Sequence, residues 1–320
     1  MAFRYINPGY VALLDSDSSA TEVTSTTYSK SGVGFYLNDT SYSKGLTLEN
    51  FSFESDFWAN FDFYLGNNGA DIYFYAPGGN RVGVQISNSP SWGTPRVTIY
   101  ASYSSNGKSS LATANGVSAV QNDLGITIDS VNSAWLHVKY GAAGTGLIEL
   151  SINGKKNWRY DNSAIIYTAT NKKVVMYSYD VEGTFSNLII SDEYISPSEK
   201  VVALPIDTTE TTMTAGTNGI YIADAVNQTL LQTPDVDALL TNYGATSQVT
   251  GITLIGNPAY KTAEGINSLI GLLKANGTIT EHDSCSLDTV SSAVIMDCWS
   301  LSNTTISDLQ NMQFGWKAGT

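Results

Sequence analysis

Between Phe51 and Leu65 the chain reads FSFESDFWANFDFYL, and its apolar residues fall on every second position. Phe51, Phe53, Phe57, Ala59, Phe61, Phe63 and Leu65 share one phase; Glu54, Asp56, Trp58, Asn60, Asp62 and Tyr64 share the other. A period of two belongs to a strand, whose side chains alternate between faces, whereas a helix repeats every 3.6 residues or so. The segment therefore predicts a long strand, or two collinear ones. Its phenylalanines enter a core, and its acidic and aromatic residues form the opposite face.

Further alternating segments follow. Ile72 and Phe74 alternate with Tyr73 and Tyr75 ahead of the turn Pro77-Gly78-Gly79-Asn80. Val82, Val84 and Ile86 form the next inner face, then Val97 and Ile99. Leu136, Val138 and Tyr140 alternate with Trp135, His137 and Lys139, and Ile148, Leu150 and Ile152 lead into Asn153-Gly154. Asn-Gly is the strongest short hairpin signal, because both residues tolerate positive φ. Strands over 173–179 and 185–191 close the series. Many short strands with Gly, Asn and Pro turns and no helical pattern before about residue 196 predict a two-sheet antiparallel β-sandwich over residues 1–196.

A boundary is expected over 197–206, where Pro197 and Pro205 punctuate the chain. Residues 207–320 then predict a smaller α+β domain. Thr233-Pro234-Asp235 reads as a helix start ended by Gly244. Ile266, Leu269, Ile270 and Leu273 fall at helical spacing, predicting a helix over Thr262–Lys274 closed by Gly277. A short helix is expected over Ser307–Met312, and strands over 219–223, 249–255 and 293–299.

The 320 residues carry a net charge of −13, which disfavours nucleic acid, whose phosphates would be repelled. No run of about 18 apolar residues exists, so no membrane insertion is expected. The N-terminal MAFRYINPGYVALL lacks a continuous apolar core and does not read as a secretory leader, so synthesis in the cytoplasm is expected. Two cysteines, Cys285 and Cys298, are too few for a disulfide framework; they are expected to be buried thiols, with pairing to each other, if their strands are neighbours, as the alternative.

Three pieces of the first domain, the 51–63 strand, Trp135–Val138 with Ile148–Gly154, and Gly183–Asp192, resemble the concanavalin A-like lectin and glucanase jelly rolls. The likeness is to the laminin-G-like branch and covers residues 30–195 or so. It implies a jelly roll able to bind a glycan. The second domain resembles C-terminal parts of tailed-bacteriophage structural proteins, in Gly256-Asn257-Pro258-Ala259-Tyr260 and in Phe314-Gly315-Trp316-Lys317. That likeness implies a virion protein made in the host cytoplasm. It would associate with other copies of itself, a trimer for example, and with other virion proteins.

Jelly-roll glucanases use paired carboxylates in a Glu-x-Asp-x-x-Glu pattern. Here Glu54 and Asp56 are followed by Ala59 and Asn60, so the second acid of a retaining pair is missing and no catalytic residue is assigned. Glu281-His282-Asp283-Ser284-Cys285 gathers reactive side chains, but no second histidine stands at metal spacing, and a surface loop is expected there. Calcium is the one ion the laminin-G-like resemblance suggests. Asp15 and Asp17 are its closest acid pair, without the Gly and Glu of an EF-hand loop. No other cofactor is expected.

Sugar recognition combines flat aromatic rings with hydrogen-bonding carboxylates and amides. The candidate ligand residues are accordingly Asp56, Trp58, Asn60, Asp62 and Tyr64, with Tyr73 and Tyr75 on a following strand and Trp92 and Tyr103 at the rim. Burial of these aromatics against a neighbouring subunit is the competing reading. The leading expectation is a non-enzymatic tail, fibre or capsid-decoration protein with a lectin-like domain that binds a cell-surface glycan or receptor. The alternatives are a polysaccharide-degrading depolymerase or glucanase-like hydrolase, and a structural shell protein without a ligand.

Overall fold

The computed structural model describes residues 4–9, 11, 14, 20–37, 45–48, 56–77, 82–88, 95–100, 112–113, 125–141, 145–154, 156–162, 173–178, 181–217, 219–259, 261, 265–287 and 293–320. At 4, 112–113, 156–162, 257–258 and 293–294 the description is of the backbone. The chain divides into two compact units, Met1–Val202 and Ala203–Thr320. Among the described residues no helix is long and apolar enough to cross a membrane.

The elements of the first unit among the described residues are strands. It runs β1 (Arg4–Asn7), β2 (Ala20–Thr24), β3 (Val33–Leu37), β4 (Gly45–Thr47), β5 (Asp56–Leu65), β6 (Asp71–Ala76) and β7 (Val82–Ser87). Then come β8 (Arg96–Tyr100), β9 (Ala112–Thr113), β10 (Ser130–Lys139), β11 (Gly146–Ile152), β12 (Lys156–Asn162), β13 (Lys173–Ser178) and β14 (Gly183–Ser191). An eight-stranded sheet has the order β12-β11-β10-β5-β14-β3-β2, with β1 also paired to β14. A six-stranded sheet has the order β4-β13-β6-β7-β8-β9. All pairings are antiparallel.

The alternation in β5 does what its period requires. Phe57, Ala59, Phe61, Phe63 and Leu65 are buried between the sheets. Phe61 of one sheet stacks on Phe74 of the other with ring centroids 4.5 Å apart, and Phe185 packs 5.8 Å from Phe61. Each fully buried phenylalanine contributes about 1.5–3 kcal/mol of hydrophobic stabilisation. Phe51, Phe53 and Glu54 lie outside the described residues. Asn153 and Gly154 both take positive φ, 51° and 65°, at the expected turn between β11 and β12.

The second unit is richer in strand than its sequence predicts. It holds β15 (Ile206–Thr211), β16 (Thr214–Ala215), β17 (Tyr221–Ile222), β18 (Thr229–Pro234) and β19 (Gln248–Ala259). These are followed by β20 (Ser268–Ala275), β21 (Thr278–Ser286), β22 (Ala293–Thr305) and β23 (Met312–Gly319). A five-stranded sheet has the order β15-β18-β23-β20-β21, and β19 and β22, not consecutive in the chain, pair as a separate two-stranded antiparallel sheet. Among the described residues a helix, Asp237–Tyr243, and a single turn, Ile306–Leu309, pack Leu239, Ile306 and Leu309 around Phe314.

Three expectations are corrected here. Of the helix expected over Thr262–Lys274, residues 268–274 belong instead to strand β20, which lies between β23 and β21, and residues 262–264 lie outside the described residues. Leu272 is fully buried, while Leu269 and Leu273 each pack on an apolar cluster, so helical spacing arises in a strand covered on both faces. Asn276 and Gly277, at φ 50° and 77°, make the hairpin turn to β21 rather than a helix stop. The helix read from Thr233 starts only at Asp237, because Pro234 still belongs to β18; Gly244 does follow its end. The surface loop expected at Glu281–Cys285 is strand β21. Cys285 and Cys298 form no disulfide with each other and are both half-buried, and burial together with Asp297 pushes the Cys285 thiol up to about 11.

Candidate functional site

The outward face of the eight-stranded sheet is assembled by register. In β5 and β10, Trp58 lies opposite His137, Asn60 opposite Trp135, and Asp62 opposite Ser133. Glu149 of β11 lies on the far side of His137. Side chains directly opposite on one face stand close enough to touch. The Trp58 and His137 rings are accordingly stacked, 3.5 Å apart and 3° from parallel. His137 Nε2 lies 2.7 Å from Asp56 Oδ1, and its Nδ1 lies 3.0 Å from Glu149 Oε2. Trp135 tilts against Trp58 at 5.5 Å, and Tyr194, 61% exposed, meets Trp58 edge-on at 5.2 Å.

Asp56 and Glu149 thus flank one imidazole. A glycosidase needs its two carboxylates to face a sugar bond across open space, and here the ring fills that space.

Part of the predicted binding face is used by the fold itself. After β14 the chain crosses this face: Trp135 Nε1–H donates to Ile195 O at 2.7 Å, and Asn60 Nδ2 donates to Ser196 O at 2.8 Å. Asp62 is 7% exposed and accepts from Asn187 Nδ2 at 2.8 Å and from the Ser133 hydroxyl, with Lys30 Nζ 3.4 Å away. A bulge sets up that contact. Ser186 pairs with Asp62 and Ile189 with Asn60, so two residues of β14 face only Phe61, and Asn187 takes φ 50°. Tyr64 is 6% exposed, packs edge-on against Tyr28, and donates weakly to Asp129 at 3.5 Å. Burial, with the Asp129 and Glu182 charges, pushes its phenol up to about 12.

What remains accessible adjoins a pocket of about 310 Å³. It is lined by Lys30, Ser133, Trp135, Ser151, Asn153 and Lys200, with Ala134, Gly154 and Pro197. Trp135 separates this pocket from Trp58, so an aromatic strip continues into a polar recess holding two ammonium groups.

No family model and no curated protein matches the chain. Among solved structures it is similar to an endo-β-1,4-glucuronan lyase from the fungus Trichoderma reesei, with 12% identity over 58% of this chain and 94% of that one and a TM-score of 0.36. It is similar at 11% identity to alginate lyase Aly36B, over 58% and 86% of the two chains with a TM-score of 0.30. The carbohydrate recognition domain of Emp47p matches at 11%, over 58% and 93%, also with a TM-score of 0.30.

Of the other sequence candidates, Tyr73 and Tyr75 lie on β6, in the opposite sheet. There they cluster with Tyr177, and Gln85 Nε2 donates to the Tyr73 hydroxyl at 2.7 Å. The expectation that they continue the Trp58 face is corrected, since β5 pairs with β10 and β14, not with β6. Trp92, Tyr103, Asp15 and Asp17 lie outside the described residues. Sequence reading missed Trp135, His137, Glu149, Tyr194 and the two lysines as site residues. The alternation around Leu136 already put Trp135 and His137 on an outward face; only the pairing to β5 was hidden.

Proposed function

We propose that the first domain is a carbohydrate-binding module. In this reading it grips a saccharide along Trp58, Tyr194 and Trp135 and seats an anionic or hydroxyl-rich substituent in the adjoining recess. The single observation behind this is the continuity of half-exposed indole surface with a pocket lined by hydroxyls, an amide and two lysines. Flat rings cover sugar C–H faces and the Ser151 hydroxyl lines the recess, while the Ser133 hydroxyl is held by Asp62 and the Asn153 amide donates to Gly125 O and Asn132 Oδ1. Lys30 and Lys200 favour acidic sugars in a chain whose net charge is −13. Binding rather than hydrolysis is supported by His137 occupying the gap between Asp56 and Glu149.

In the same reading the protein is a homo-oligomeric component of a bacteriophage virion. The resemblance of Gly256–Tyr260 and Phe314–Lys317 to tailed-phage structural proteins supports this, and peptide mapping of purified particles tests it. Binding itself is tested on an array of neutral and acidic glycans, followed by calorimetry. Trp58→Ala is expected to weaken the best ligand at least about tenfold, and Lys200→Glu to weaken acidic ligands selectively. Full affinity in both variants refutes the site. Release of reducing or unsaturated sugar ends by the wild-type protein refutes the non-enzymatic reading.

A further inference from the structure

Strand β21 carries a bulge opposite Gly271. Ile270 pairs with Ser284 and Leu272 with Glu281, so His282 and Asp283 together face one residue of β20. Regular alternation would send these neighbours to opposite faces; the bulge brings their side chains together. Asp297 of β22 meets them from the other layer. It stands over Gly271, where a Cβ would lie 1.8 Å from its Oδ2. The missing side chain at Gly271 is what leaves room for the carboxylate.

Asp297 is 4% exposed. Its Oδ1 lies 2.6 Å from His282 Nδ1, and its Oδ2 is buried without a hydrogen-bond partner among the described residues. Ligand atoms of His282, Asp283 and Asp297 all lie within 4.8 Å of one another. Trp299 packs on the imidazole at 4.7 Å, and Asp283 is exposed, which provides a route of entry.

We propose that His282, Asp283 and Asp297 form a binding site for a divalent transition-metal ion, of which zinc is the type. One neutral imidazole and two carboxylates neutralise a dication. The nitrogen donor favours zinc-like ions over calcium and magnesium, which take oxygen ligands. Tetrahedral zinc spaces its donors about 3.3 Å apart, so the exposed Asp283 carboxylate has only to swing inward. The fourth position is left to water. A bound zinc gives the orphaned Oδ2 of Asp297 the partner it otherwise lacks among the described residues.

The test is calorimetry of zinc chloride added to the full-length, chelator-treated protein. One zinc per chain is expected. Its affinity should fall at least about tenfold in both His282→Ala and Asp283→Asn; the second change is on the surface and leaves the fold intact. Absence of saturable zinc binding in the wild type overturns the proposal. Unchanged affinity in both variants does so as well, and calcium chloride binding as tightly as zinc overturns the choice of metal.

Discussion

Replacing Asp62 with alanine separates a ligand-binding carboxylate from a structural one. The side chain is 10% exposed and accepts from the Asn187 amide and the Ser133 hydroxyl. Hydrogen bonds to a charged acceptor are worth about 1.5–3 kcal/mol each, and donors left buried without partners lose rather more. The third partner, Lys30, is 51% exposed, so its ion pair at 3.4 Å adds little. Together these give a loss of at least about 3 kcal/mol. In a domain of this size each kcal/mol lowers the melting temperature by about 2–4 °C, so a drop of at least about 6–12 °C is expected by calorimetry. A combined Asp62→Ala, Asn187→Ala variant should cost less than the sum of the two single changes, because the amide loses its partner only once. Glycan affinity of the folded variant should stay within about twofold, a difference of a few tenths of a kcal/mol. A melting temperature unchanged within about 1 °C, with glycan binding abolished, would refute the structural role.

Three further outcomes are expected. Phe61→Ala removes the ring stacked on Phe74 and should cost about 3–5 kcal/mol in urea unfolding; a loss under about 1 kcal/mol would deny that the two sheets share this contact. Tyr64 holds its proton to about pH 12, above its ordinary 10.0, so its contribution is intact below pH 10 and lost as pH rises through 12. The urea midpoint of the wild type should therefore fall more steeply than that of Tyr64→Phe above pH 10, and parallel curves would count against it. Gly271→Ala drives a methyl into the Asp297 carboxylate and the Trp299 ring and should cost about 1–3 kcal/mol in thermal unfolding; a neutral result would mean that Asp297 stands elsewhere.

The sandwich was readable because period two over β5 admits one placement of the phenylalanines, and Asn153-Gly154 admits one kind of turn. Strand partners were not readable. Tyr73 and Tyr75 alternate as cleanly as Trp58 does, yet alternation says nothing about which sheet a strand joins, so residues on two separate faces were grouped as one site. The crossing segment at Tyr194–Pro197 was hidden for a related reason. It has no periodicity, and only the hydrogen bonds from Asn60 and Trp135 reveal that it covers the face. In β20 the failure was one of degeneracy, because a strand apolar on both sides satisfies a helical pattern as well as its own.

Bulges account for the rest. A bulge inserts one residue, so the phase of every side chain beyond it is reversed. In β14 the inward residue is Phe185 before the bulge and Leu188 and Ile190 after it, and Asn187, the residue out of phase, closes on Asp62. In β21 the same defect turns His282 and Asp283 towards Asp297, a residue that no motif connects to them. Strict alternation applied to Glu281–Cys285 sends histidine one way and the acids the other, so it dissolves the very cluster the fold assembles. Both of these convergences of polar side chains on a buried carboxylate thus lie where period-two reading must fail. A β21 without its bulge would carry the same amino acids and lack the metal-binding arrangement, because the imidazole and Asp283 would then lie on opposite faces of the sheet.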